Sequence, residues 1–186
     1  MAIILNIDTA TENATISISE KDKAIDAVTN RNQKDHASFL QPAIKNLLQR
    51  AGLSINKLNA VAVTAGPGSY TGLRVGMASA KGLCYALNIP MITINTLQVM
   101  AFSCIKEMQE QSALYCPMID ARRMEVFTAV YDHNLTEEIK PCSLILDTGT
   151  FINILQTNKI YFSGSGALKL KNLLDNKNAV YINKEI

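Results

Sequence analysis

Ile3-Ile4-Leu5-Asn6-Ile7-Asp8 and Leu114-Tyr115-Cys116-Pro117-Met118-Ile119-Asp120 share one design, a mostly apolar run that ends in Ile-Asp. Each is followed by a stretch in which apolar and polar residues alternate, Asn13–Ser19 (NATISIS) after the first and Glu125–Tyr131 (EVFTAVY) after the second. Alternation with a period of two marks a strand with one buried face. Each pair therefore predicts two successive strands, the first of them beginning at Ala2, and the recurrence predicts an internal repeat.

Outward from the first pair, Lys23–Thr29 alternates again and completes a three-strand meander. A helix is predicted over Asp35–Ala51, where Ala37, Leu40, Ile44, Leu47, Leu48 and Ala51 recur at helical spacing and Gly52 supplies the stop. Pro42 falls inside it and predicts a bend or loosened first turns. A buried strand, Ala60–Thr64, leads through a glycine-rich loop into a helix over Gly72–Leu87, then a strand at Met91–Ile94. A further helix runs from Asn95, with capping-box spacing to Gln98, to about Met108. The order is βββαβαβα. Outward from the second pair come a strand at Ile139–Leu146, a short helix at Thr148–Leu155, a strand at Ile160–Ser163 and a helix near Leu168–Leu174. The chain thus reads as an α/β protein with two related lobes, residues 1–110 and 111–186. The second is shorter, and still owes a strand and a helix.

Composition narrows the function. Of 186 residues, 18% are charged and 48% hydrophobic, too apolar a mix for disorder. A net charge of +2 does not mark the whole chain as a polyanion binder, although a local patch remains open. Cys84, Cys104, Cys116 and Cys142 are widely spaced with no CxxC pair, which argues against a disulfide framework or zinc ribbon. No run approaches the ~18 apolar residues of a membrane span, and MAIILNIDTATEN lacks the basic start of a signal peptide. A cytoplasmic protein with no membrane role is expected.

The loop Gly66-Pro67-Gly68-Ser69-Tyr70-Thr71-Gly72 joins a strand to a helix, where backbone N–H groups can cradle an anion. It is neither a GxGxxG fingerprint nor a P-loop. Spacing alone leaves two readings open, an anion site built on Gly66, Gly68, Ser69 and Gly72, or a tight turn whose glycines permit close packing. Asp8 and Thr9, at the end of the first strand, extend the anion candidate; they equally suit a hairpin cap, which Ala10 favours because glycine would admit phosphate more closely. Two distant histidines, His36 and His133, without HExxH or HxxxH, predict no metal site, and no GxSxG or activated nucleophile predicts a catalytic residue. Asp120-Ala121-Arg122-Arg123 holds the one Arg-Arg pair, able to fork onto phosphate or an acidic partner, or to serve as a charged turn.

On the helix Gly72–Leu87, Leu73, Gly76, Met77, Ala80, Leu83, Cys84 and Leu87 form one apolar arc, and Val75, Ser79, Gly82 and Ala86 a second, small one. Only Arg74, Lys81 and Tyr85 make a narrow polar stripe. A helix apolar on two sides is covered on two sides, by its own sheet and by another helix or a second chain. The preceding helix, Leu40–Ala51, supplies part of that second cover, and a second chain can supply the rest.

IDTATENATISI, HASFLQPAIKNLL, AVAVTAGPGSYTGLRVGMASAKGL, ALNIPMITINTL and MIDARRMEVFTAVY, in that order, resemble the TsaB (YeaZ) family over about residues 1–132, and more loosely to the end. The resemblance implies the duplicated actin-like/Hsp70-like (ASKHA) fold. It also implies a place in the synthesis of N6-threonylcarbamoyladenosine (t6A) in tRNA. There TsaC makes threonylcarbamoyl-adenylate, and TsaD transfers the group to adenosine 37 of ANN-decoding tRNAs. TsaB would be a non-catalytic subunit that binds and activates TsaD through its N-terminal helices, here Leu40, Ile44 and Leu47 of the first with Gly72, Leu73, Gly76, Met77 and Ala80 of the second as the candidate partner interface. TsaE would be a further partner, and the chain would form a homodimer when TsaD is absent. It would touch tRNA only indirectly and need no cofactor, unless a nucleotide sits at a subunit interface. The family usually continues beyond residue 186. An older glycoprotease (M22) label attaches to it, and the residues give that label no support. Two alternatives are kept, an ASKHA-type ATP-dependent small-molecule kinase working through Asp8 and the Gly66–Gly72 loop, and a metallopeptidase.

Overall fold

The computed structural model describes residues 2–21, 23–32 and 35–182. It divides into two compact units, Met1–Thr96 and Leu97–Ile186. The boundary read from the sequence, after residue 110, lies at the far end of the helix that opens the second unit.

The first unit is a five-stranded sheet of β1 (Ile3–Asp8), β2 (Ala14–Glu20), β3 (Lys23–Asn30), β4 (Ala60–Thr64) and β5 (Met91–Ile94), ordered β3-β2-β1-β4-β5. β1, β2 and β3 form the antiparallel meander, and β4 and β5 add on parallel to β1. On one face lie α1 (His36–Arg50) and α2 (Tyr70–Leu87). Leu40, Ala43, Ile44, Leu47 and Leu48 of α1 pack with Leu5, Ile7, Ile16, Ile18, Val61 and Val63 of the strands. Each large aliphatic side chain so buried contributes roughly 1.5–3 kcal/mol. α1 runs unbroken through an exposed Pro42 and ends where Gly52, at φ +65°, turns the chain out of the helix. α2 starts two residues earlier than its periodicity suggests, because Ser69 caps it by accepting from Gly72 N. It ends at Asn88, which takes the left-handed conformation that glycine usually fills.

The second unit contains α3 (Thr96–Met108) from Leu97 onward, then β6 (Leu114–Asp120), β7 (Glu125–Tyr131), β8 (Glu137–Ile145), α4 (Ile152–Leu155), β9 (Ile160–Ser163), α5 (Ala167–Lys171) and β10 (Ala179–Tyr181). Its sheet is ordered β10-β9-β6-β7-β8. From the β8 end this is the first sheet again, with β6, β7, β8, β9 and β10 standing for β1 to β5. The predicted duplication is therefore present strand for strand. The strand that the second lobe still owes by its sequence is present too. β10 has only three residues, too few for an alternating pattern to mark it, and pairs, parallel, with β9. α4 and α5 are single turns, shorter than Thr148–Leu155 and Leu168–Leu174. They cover one face through Phe151, Leu155, Ala167 and Leu170, while α3 covers the other through Leu97, Met100, Ala101 and Cys104.

Candidate functional site

At the end of β1 the sequence-predicted residues do converge. Asp8 Oδ1 accepts from the backbone N–H of Ala10 at 3.0 Å and from the Thr64 hydroxyl at 2.9 Å. The Thr9 hydroxyl, fully buried, donates to the Gly72 carbonyl at 2.7 Å. The backbone N–H of Ser69 donates to the Ala10 carbonyl at 2.7 Å. Gly66, at φ +105°, lies against Leu73 and offers its carbonyl to Thr96 N at 2.9 Å. A Cβ at Gly68 would strike the Ala10 carbonyl, one at Gly72 the Thr9 carbonyl, and one at Gly76 the Thr9 hydroxyl. The glycines serve close approach between the loop and the β1–β2 turn. The Ser69 N–H and the Thr9 hydroxyl already donate within the protein. These contacts are the close packing that the tight-turn reading requires of the glycines.

The candidate partner residues separate by depth. Leu40, Ile44 and Leu47 lie in the unit's core, and Gly72, Gly76 and Ala80 are the buried residues of α2. Gly76 approaches Ile7 and Val63 of the sheet. The arc assigned to a partner is thus the arc that seats α2 on its own strands, with Leu73 and Met77 half-buried at its border. Small residues stand there because sheet and helix are close, a cause the sequence pattern does not separate from helix–helix contact. The outward face of α2 carries Tyr70, Arg74, Ala78, Lys81 and Tyr85. Tyr70 and Tyr85 are 68% and 91% exposed, and the Arg74 guanidinium lies 3.9 Å from the centre of the Tyr70 ring. The signal for this face was the narrow polar stripe of Arg74, Lys81 and Tyr85. Ser79, from the small arc, instead accepts from Gln41 of α1 at 3.0 Å and ties the two helices together.

In the second unit Asp120 repeats the part of Asp8, its Oδ1 accepting from the backbone N–H two residues on, Arg122 N at 2.7 Å. Lys169 Nζ lies 2.8 Å from the same oxygen and, with that N–H, holds the Asp120 carboxyl below the usual range. Arg122 and Arg123 both adopt positive φ, +71° and +48°. For residues with a Cβ each such conformation costs about 1–2 kcal/mol. His36 is buried, its Nε2 placed to donate to the Glu12 carbonyl at 3.1 Å. Among the described residues no three His, Cys, Asp or Glu side chains group as metal ligands would.

The family model described as TsaD, tRNA N6-adenosine threonylcarbamoyltransferase, matches residues 24–175. The chain belongs to the TsaD family. Within it, this TsaD-family chain is similar to the curated TsaB proteins, named for tRNA threonylcarbamoyladenosine biosynthesis. It is 34% identical to that of Escherichia coli over 131 residues (70% of this chain, 55% of that protein) and 32% identical to that of Bacillus subtilis over 140 residues (74% and 59%). The chain therefore spans little more than half the length of these relatives. A solved structure, YeaZ from Pseudomonas aeruginosa, superposes with a TM-score of 0.84 at 23% identity, covering 97% of this chain and 84% of that one. That match shows the fold, a duplicated α/β architecture whose repeat the paired Ile-Asp strands predict and whose ASKHA type the family resemblance implies. No helix among the described residues is long and apolar enough to cross a membrane.

Proposed function

We propose that this chain is a non-catalytic subunit that binds and activates TsaD for threonylcarbamoyl transfer to N6 of adenosine 37 in ANN-decoding tRNAs. The observation that carries this reading is the outward face of α2. Two exposed tyrosines and two basic side chains line a single helical stripe whose opposite side is already seated on the sheet. Tyrosine and arginine are enriched among the side chains that anchor protein interfaces, tyrosine because it buries large area at small entropic cost and arginine because its planar fork makes several hydrogen bonds at once. A remote subunit acts on its partner by binding the competent conformation more tightly than the other, so the stripe needs no chemistry of its own. The same face serves a homodimer when TsaD is absent, TsaE joins the assembled pair, and the complex works in the cytoplasm. Against the kinase alternative, Asp8 accepts from Ala10 and Thr64, and the Gly66–Gly72 loop is bonded to Thr9 and Ala10.

Reconstitution tests the reading. TsaC, TsaD, TsaE, threonine, bicarbonate, ATP and an ANN-decoding tRNA are combined with and without this chain, and modified adenosine is scored by nucleoside mass spectrometry. Product should require the chain and should survive Asp8→Ala. ATP turnover by the isolated chain that Asp8→Ala abolishes would replace this reading with the kinase.

A further inference from the structure

Arg122 and Arg123 sit at the tip of the β6–β7 hairpin, closed by Ala121 N to Glu125 O at 3.1 Å and Glu125 N to Arg122 O at 3.1 Å. Both take left-handed backbone conformations, which asparagine or glycine adopts more readily. Both side chains are exposed, and neither guanidinium has a hydrogen-bond or ion-pair partner among the described residues. The neighbouring carboxylate does not neutralise them. Asp120 is paired with Lys169, which also donates to the Glu125 carbonyl at 3.2 Å. The tip therefore combines a strained backbone with two adjacent, unpaired forked cations. Backbone strain that comfortable residues would relieve is a signature of function rather than of stability.

We propose that the Arg122–Arg123 tip binds the phosphate backbone of RNA, so that this chain touches the tRNA itself and not only through TsaD. The inference extends the reading of the chain as a t6A subunit and takes its ligand, a phosphate-bearing polynucleotide, from that reading. Guanidinium matches phosphate geometry with two parallel hydrogen bonds. Phosphate contacts fix register without reading sequence, so the tip contributes affinity and placement rather than choice of tRNA.

The experiment is fluorescence anisotropy of a labelled ANN-decoding tRNA titrated with the isolated full chain between 50 and 200 mM salt. Each phosphate contact contributes about 0.7–0.9 to the slope of log affinity against log salt. Arg122→Asn/Arg123→Asn removes both charges with side chains that tolerate the turn. It should lower the slope by about 1.4–1.8, so that the advantage of the native chain shrinks roughly tenfold across this salt range. Arg122→Lys/Arg123→Lys keeps the charges and should retain the slope, and a tRNA of unrelated sequence should behave alike. A native chain that does not bind tRNA, or an Asn variant with an unchanged slope, overturns the proposal. An Asn variant that loses TsaD binding while keeping its RNA slope also overturns it, in favour of an acidic protein surface at the tip. Failure of the chain to stimulate transfer is read in the separate reconstitution and leaves these slopes interpretable.

Discussion

The backbone N–H of Ser69 donates to the carbonyl of Ala10 over 2.7 Å, and this bond fastens the start of α2 to the turn that leaves β1. Thr9 closes the same junction from the other side by donating to the Gly72 carbonyl. The two bonds join helix to sheet and fix where the outward stripe of α2 points.

That junction predicts a sharp contrast among glycines of one helix. Gly72→Ala should cost about 1–3 kcal/mol, because its new methyl strikes the Thr9 carbonyl and the backbone has to move. Gly82→Ala meets nothing within 4 Å and should stabilise the chain by about 0.5–1 kcal/mol. Urea denaturation of the two variants decides it; a Gly72→Ala midpoint equal to the native one contradicts the close approach.

Much of this fold was legible because strands announce themselves by alternation and by how they end. IILNID and LYCPMID, each followed by an alternating run, were enough to place β1, β2, β6 and β7 and to reveal the repeat. The site was less legible. Periodicity placed Gly76 and Ala80 on an apolar arc, but whether a sheet or another chain covers an arc depends on distances that no spacing encodes. Nor does sequence reveal that Arg122 and Arg123 hold positive φ, since the residues that normally report it, glycine and asparagine, are absent there. The Glu110–Lys159–Tyr161 cluster leaves no mark in the sequence either, because about 50 residues without any motif separate Glu110 from its two partners.

That cluster should shape the acid stability of the second unit. Lys159 Nζ at 2.7 Å and the Tyr161 hydroxyl at 2.6 Å donate to Glu110 Oε2 and hold its carboxyl below the usual range. The unfolded chain then takes up the proton first as pH falls. The contribution is present above about pH 4.3 and is lost as pH drops through the folded value. The same contacts raise the Lys159 ammonium, so its contribution is complete below about pH 10.4 and is lost progressively as pH rises from there through its folded value. Melting temperatures between pH 3 and 6 should fall steeply for the native chain and less steeply for Glu110→Gln. Parallel curves would mean that the pairing adds nothing to stability.

The four thiols should react in order of access and ionisation. Burial pushes Cys104 up to about 11 and Cys116 up to about 12, and it also raises Cys84, which donates to the Pro90 carbonyl. Cys142 lies exposed on β8. Since the thiolate is the reacting form, a disulfide reagent at pH 8 should label Cys142 first and Cys84 more slowly. Cys104 and Cys116 should react only after denaturation. Mass spectrometry of the time course checks the order, and early labelling of Cys116 would contradict its burial.

The outward stripe of α2 gives the most direct test of partnership. Ala80 is fully buried beneath the helix, so Ala80→Arg places an unpaired charge in the core and should unfold the first unit, visible as lost circular dichroism. It reports on folding, not on binding. Tyr85 is 91% exposed, so Tyr85→Ala should stay within about 0.5 kcal/mol of native stability. If the stripe is the docking face, that truncation should still weaken association with TsaD by at least about fivefold, the equivalent of roughly 1 kcal/mol at an anchoring residue. Arg74→Ala should behave in the same way, and the two together should reduce threonylcarbamoyl transfer in proportion to lost complex. Calorimetric titration against TsaD separates the outcomes, because native affinity in both variants would move the interface off α2 while leaving the fold of this chain untouched.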